Sequence, residues 1–464
     1  MKQKHFHFIA IGGAAMHNLA IALHKKGYKI TGSDDEIFDP AFSNLKKYNL
    51  LPEKIGWFPE KITNEIDAII LGMHAKADNP ELLKAKKLGL KIFSYPAFVY
   101  EQSKNKTRVV IGGSHGKTTT TGMIMHILNY AGIEFDYVVG APIKGYEETV
   151  KLSENAKIIV IEGDEYLTSA LDPVPKFHKY RPDLGVITGI AWDHINVFET
   201  FDKYIEQFKI FIEKFNTNAT LFYFCENKEL KRIVKCTRTD IKKIAYCTHP
   251  YTEKKGKTYL IDNNLKEIEI KIFGKHNMQN ISAAKKVTSH LGIDDKIFYK
   301  AISTFEGSKK RLEKVFEEKE FVIYSDFAHA PSKVVSTVKA IKEKYPNKPL
   351  IAVLELHTYS SLNKKFLPNY KKTLDIADNA IVYYNKHTLQ LKGLPEITTE
   401  EIKQGFEKNN LVVITDRNEL IKFLKQNFTF VNAVLLMMSS GNFSGIDLKK
   451  LGKVLLKPIT KKIK

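Results

Sequence analysis

The stretch VVIGGSHGKTTTTGMIMHILNYAG, Val109 to Gly132, decides the fold. A short apolar run leads into a glycine-bearing loop, and Lys117, four threonines and an amphipathic run follow. That order predicts a strand, a loop and a helix. At a helix N-terminus the unpaired backbone N–H groups and the helix dipole attract anions. Gly113 and Gly116 let the backbone curl close to phosphate oxygens, an approach that side chains would block. Lys117 supplies a mobile cation, and Thr118 a hydroxyl suited to Mg²⁺. Gly113, Ser114, His115, Gly116, Lys117, Thr118 and Thr119 are therefore candidate nucleotide-phosphate residues. The longer pattern G-x-x-x-x-G-K-[ST] would place glycine where this chain has Ile111, so the match is to the shorter G-x-x-G-K-T. An ordinary glycine-containing turn is the competing reading.

Outward from this loop the chain reads as strands alternating with helices, which implies parallel sheets. HFHFIAIGG is a continuous apolar strand of the buried kind, followed by a helix over Met16 to Lys26 that Gly27 ends, and then by the strand YKITGSDD. DAIILGM is another strand, and Asn79-Pro80 opens a helix as N-cap and first-turn proline. The polar stretch EQSKNKT, Glu101 to Thr107, marks a boundary. Beyond the loop come KIIVIEGDE and DLGVITGIAWDH, and then, from GSKKRLE onward, FVIYSDFAHAPSK, PLIAVLEL, AIVYY, LVVIT and AVLLMMSS. The segment from about 220 to 272 is strand-like, but its order cannot be read. At 464 residues the chain exceeds a single core. The expected domains are 1–105, 106–307 and 308–464.

The composition, 43% hydrophobic and 27% charged, is that of a globular protein, and no apolar run nears the roughly 20 residues that span a bilayer. A cytoplasmic enzyme is expected, with its three cysteines (Cys225, Cys236 and Cys247) reduced. The net charge of +20 suits nucleic acid or small polyanions equally, and the lysines are scattered. It does not decide the function.

Two candidate metal ligands lie downstream. Glu162 ends the strand KIIVIE, and His194 follows the strand GVITGI. Residues just past the carboxyl ends of parallel strands face the ligand crevice. A carboxylate and an imidazole there are reasonable Mg²⁺ ligands, the carboxylate more so. Asp164 and Glu165 read as solvated loop charges.

GGSHGKTTT, EGDEY, WDHIN, GKHNMQNISAA, GSKKRLE and DFAHAPSK, in this order, resemble the Mur ligases, ATP-dependent enzymes that build the peptide of the bacterial cell wall. The resemblance implies an α/β protein of three domains: a Rossmann-like N-terminal domain binding the UDP substrate, a central P-loop ATPase with a parallel sheet, and a Rossmann-like C-terminal domain bringing the amine. It implies ATP and Mg²⁺ as cofactors, with Lys117 on the ATP phosphates and Thr118, Glu162 and His194 at the metal. Asn277 and Asn280 would lie near adenine, and Arg311 and Asp326 would close on the nucleotide. Gly12, Gly13, Ser33 and Asp34 would surround the UDP, and His357 and Tyr359 would serve the amine substrate.

The element KFHKYRP, Lys176 to Pro182, resembles the murein peptide ligase branch, which joins L-Ala-γ-D-Glu-meso-diaminopimelate to UDP-N-acetylmuramate in peptidoglycan recycling. Lys176, His178 and Arg181 would then offer cations to the tripeptide's carboxylates. The alternative is the branch that adds L-alanine in de novo synthesis. Departures from the family are Ala330 between His329 and Pro331, and Leu356 where relatives carry proline. Lys209 lies at the offset where some members carry a carbamylated lysine, and an exposed helical lysine is the other reading.

Two other classes fare worse. Asp34 follows Gly13 as in a dinucleotide fingerprint, but Ile11 and Met16 stand where an NAD-dependent oxidoreductase needs glycine. No RNP-type aromatics or helix-turn-helix signature supports a nucleic-acid binder.

Overall fold

A computed structural model describes residues 3–169, 171–195 and 197–457, so Asn196 of the quoted stretch WDHIN lies outside it. Among the described residues the strands form four sheets. The first is wholly parallel, in the order Lys29–Ser33, His5–Ile9, Ala68–Leu71, Ile92–Ser94. The helix Ala14–Lys25 follows its first strand, and Gly27 leaves it at φ 91°, a conformation that favours glycine. Asn79 caps the helix Pro80–Lys87 by accepting from Glu81 N and Leu82 N, as the Asn-Pro pair predicts. The expected boundary at Glu101 is partly helical, because the helix Tyr95–Ser103 runs through it.

The second sheet runs Lys242–Tyr246, Thr220–Phe224, Leu184–Ile187, Thr107–Gly112, Ile158–Glu162, Phe135–Val138, Val150–Lys151, parallel except at the last pair. The strand of the quoted stretch is thus central, and it is buried from Arg108 through Gly112. The segment that the sequence left unordered supplies the first two of these strands. It also supplies an antiparallel three-stranded sheet, Tyr251–Lys254, Lys257–Ile261, Glu267–Ile270.

Cys225 and Cys247, expected as free thiols, form a disulfide. They follow neighbouring parallel strands in which Phe224 faces Tyr246, and their Cα atoms are 5.5 Å apart. Their separation in sequence hides this pairing. Cys236 is free and exposed.

The fourth sheet runs Glu313–Glu318, Phe321–Asp326, Val434–Met438, Leu350–Glu355, Asn379–Tyr383, Val412–Ile414. Alternate residues of its strands feed two separate cores: Val322, Tyr324, Leu436 and Leu354 join one, and Phe321, Ile323, Leu435 and Val353 the other. Both faces are covered, which is why these strands read as unbroken apolar runs.

The chain divides into two compact units. The first holds residues 1–190, 200–247 and 280–302, and the second holds 191–199, 248–279 and 303–464.

Candidate functional site

In the first unit the central strand ends at Gly112, and the loop turns into the helix Lys117–Tyr130. Gly113 has φ 126° and Gly116, the N-cap, has φ 72°. A Cβ at Gly113 would strike the Thr188 hydroxyl, and one at Gly116 the Asn280 side-chain amide. Both glycines are required by conformation and by space. The Thr188 hydroxyl, at the end of the next strand, donates to His115 O.

The parallel register sets Ile111 beside Glu162. The Glu162 carboxylate therefore reaches the first turn of the loop helix, where it accepts the Thr118 hydroxyl at 2.7 Å and Gly140 N–H at 2.9 Å. Asn280 accepts the Thr120 hydroxyl at 3.2 Å. Lys117 Nζ donates to Gly113 O at 2.8 Å and pairs with Glu165 at 2.6 Å. Burial works against the Lys117 ammonium, but Glu165, Asp164 and Glu162 more than offset it, so its pKa is raised.

EGDEY thus sends three carboxylates to three partners: Glu162 to Thr118, Asp164 to Lys176 at 2.7 Å, and Glu165 to Lys117. Glu165 is fully buried, so the expectation of a solvated charge is corrected for it. At the first sheet, Gly12 N–H donates to Asp34 at 2.6 Å, and Ser33 and Asp34 are both buried. Burial pushes the Asp34 carboxyl up to about 6, against the lowering effect of the Gly12 bond.

The second unit contains His194, Asn277, Arg311, Asp326, His357 and Tyr359. His194 N–H donates to Asp193, whose carboxylate pairs with Lys333 at 3.1 Å. Burial alone would raise the Asp193 carboxyl, but Lys333 and the nearby His194 and His329 hold it well below the usual carboxylate range. Burial and Lys333 push His329 down to about 3, so it is neutral at physiological pH. The Arg311 guanidinium lies over the Phe327 ring, 4.6 Å from its centroid. Asp326 accepts Leu312 N–H and Ala328 N–H, each at 2.7 Å, and so pins the Arg311 segment to the end of its strand. Asn277 is buried and donates to Phe273 O at 2.7 Å. Glu355, two residues before His357, accepts Phe443 N–H at 2.8 Å and the Ser439 hydroxyl, and so holds the segment 439–443. Tyr359 is exposed.

The Mur ligase middle-domain model matches residues 111–288, the Mur ligase catalytic-domain model residues 5–107, and the Mur ligase glutamate-ligase-domain model residues 310–441. A UDP-N-acetylmuramate–L-alanine ligase of Caldicellulosiruptor bescii is 33% identical over 411 residues, 86% of this chain and 87% of the relative. The chain belongs to the Mur ligase family. It is an ATP-dependent ligase that forms a carbon–nitrogen bond, a different reaction from the hydride transfer of an oxidoreductase. In fold this Mur ligase is similar to a murein peptide ligase of Psychrobacter arcticus (TM-score 0.66, 22% identity, 98% of this chain and 99% of that one). It is similar too to a UDP-N-acetylmuramate-alanine ligase of Thermotoga maritima (TM-score 0.67, 19% identity, 95% and 96%).

The basic trio expected of the KFHKYRP element does not form a free cationic cleft in this Mur ligase. Lys176 is taken by Asp164. His178 is buried, its Nε2 bonded to Gln207 O at 2.8 Å, and burial lowers its pKa to about 4, so it carries no charge at neutral pH. Arg181 is exposed and lies over the Tyr100 ring, 5.5 Å from its centroid. Lys209 is half-exposed and paired with Glu206 at 2.7 Å. Glu165, Thr188 and Tyr204 escaped the sequence reading, because nothing in EGDEY marks which carboxylate meets which cation.

Among the described residues no cluster of three or more His, Cys, Asp or Glu side chains is assembled, and no helix is long and apolar enough to cross a membrane. The Thr118 hydroxyl and the Glu162 carboxylate nonetheless present hard oxygen donors at one spot, the donor type that Mg²⁺ takes.

Proposed function

We propose that this Mur ligase joins L-alanine to the lactyl carboxylate of UDP-N-acetylmuramate at the expense of ATP. The carrying observation is the alanine-adding relative matched over 86% of the chain. The internal commitments of Lys176 and His178 add support, since a tripeptide needs cations that these do not offer. The tripeptide reading retains one specific support, the KFHKYRP element itself, which forms a short turn over Lys176–Lys179.

In either case the carboxylate attacks the γ-phosphate of ATP, giving an acyl phosphate and ADP, and the amine then attacks the carbonyl as phosphate leaves. Both anions must share one site, so charge neutralisation and positioning dominate the catalysis. The loop N–H groups and Lys117 hold the polyphosphate. Thr118, Glu162 and His194 would hold Mg²⁺, which would supply further positive charge there. Asn277 and Asn280 serve the adenine end, Arg311 and Asp326 the closing side, and Gly12, Gly13, Ser33 and Asp34 the UDP. His357 and Tyr359 serve the amine. Substrates of this kind are drawn from the cytoplasm, where we place the enzyme.

The test is ADP formation with ATP, Mg²⁺ and UDP-N-acetylmuramate, comparing L-alanine with the tripeptide at equal concentration. Alanine is expected to give the higher kcat/KM. A preference for the tripeptide assigns the chain to recycling, and no ADP with either amine removes both readings.

A further inference from the structure

The Lys117 ammonium is largely enclosed, its side chain only 14% exposed, and the Glu165 carboxylate beside it is 1% exposed. A buried cation without a counter-ion is costly, and so is a buried carboxylate without a cation. Each satisfies the other across 2.6 Å. The second Glu165 oxygen accepts the Tyr204 hydroxyl at 3.2 Å, and the same hydroxyl is 2.8 Å from Ser114 Oγ in the phosphate loop. Tyr204 is itself fully buried in the helix Phe201–Glu213, so the carboxylate is held from a rigid element. The loop lysine is thus presented by a fixed anion at the place where phosphate oxygens are needed.

We infer that Glu165 is a positioning residue that stands in for phosphate, holding Lys117 in the nucleotide-free enzyme and competing with the β- and γ-phosphates for it. This rests on the nucleotide-binding reading of the loop. Entry of a polyphosphate draws Lys117 away from Glu165, or makes the two anions share it, and leaves like charges close together. Glu165 therefore keeps the loop ordered when empty and weakens nucleotide binding. No bond is made or broken, only an ion pair exchanged.

The experiment is calorimetric binding of a non-hydrolysable ATP analogue and of AMP, which lacks the β- and γ-phosphates, to the full chain and to Glu165→Gln. The amide keeps an acceptor for Tyr204 while removing the charge. The expected result is about three- to tenfold tighter analogue binding with AMP affinity unchanged, a lower unfolding temperature without nucleotide, and a larger rise on adding it. In a Lys117→Met background the same substitution should give no tightening, because the object of competition is gone. Glu165→Ala, which removes the carboxylate outright, should tighten the analogue in the same direction and serves if Glu165→Gln does not fold. Unchanged or weaker analogue binding in a folded variant, or tightening that persists without Lys117, overturns the inference alone. Failure of the unsubstituted chain to bind the analogue overturns the nucleotide reading with it.

Discussion

The Thr118 hydroxyl donates to the Glu162 carboxylate across 2.7 Å, joining the first turn of the loop helix to the end of the neighbouring parallel strand. The pair brings two oxygen donors to the point where the helix dipole is positive and the phosphates are expected. Glu162→Gln should raise the Mg²⁺ concentration needed for half-maximal rate, since a neutral amide is a weaker ligand for a hard cation. A Mg²⁺ titration of ADP formation checks this, and an unchanged midpoint would make Glu162 a structural cap for Thr118 and Gly140.

Lys117→Ala should abolish turnover while leaving the fold intact. The expected loss is on the order of 10³-fold or more, as for other preorganised charge-stabilising groups. Steady-state ADP formation measures the loss. Activity above a tenth of the parent's, with a matching circular dichroism spectrum, would contradict the role.

Gly116→Ala should damage the loop more than its size suggests. At φ 72° alanine costs about 1 kcal/mol, and its Cβ also enters the space of the Asn280 amide, which in turn holds Thr120. Thermal unfolding should shift downward by a few degrees, and ATP-analogue affinity should fall by at least about tenfold. Normal affinity would show that the loop tolerates a side chain there.

His178 gives a pH dependence with a definite sign. Burial lowers its folded pKa to about 4, below the unfolded value of 6.5, so the unfolded chain takes up the proton first on acidification. Stability from this group is fully present above about pH 6.5 and is lost as pH falls toward 4, by on the order of 1–3 kcal/mol. Replacing the ring with a group that does not titrate, as in His178→Gln, should flatten that part of the profile. Denaturant unfolding at pH 7 and pH 5 reads it, and equal slopes in parent and variant would rule it out.

Much of this protein was legible in its sequence because the signals are local. Unbroken apolar runs gave buried parallel strands, since both faces of such a sheet are covered. Asn79-Pro80, Gly27 and the loop glycines carry their meaning in a few adjacent residues, as caps and turns do. Tertiary structure decided what depends on partners distant along the chain. Glu162 finds Thr118 from 44 residues away through the Ile111–Glu162 register, and Glu165 finds Lys117 through the same strand end. The spacing of the acids in EGDEY is the same whichever one meets the lysine. Burial likewise turned His178 from an expected cation into a neutral ring, and strand order brought Cys225 to Cys247. Charge state and pairing depend on the dielectric and on neighbours, and a linear chain specifies these only once it has folded.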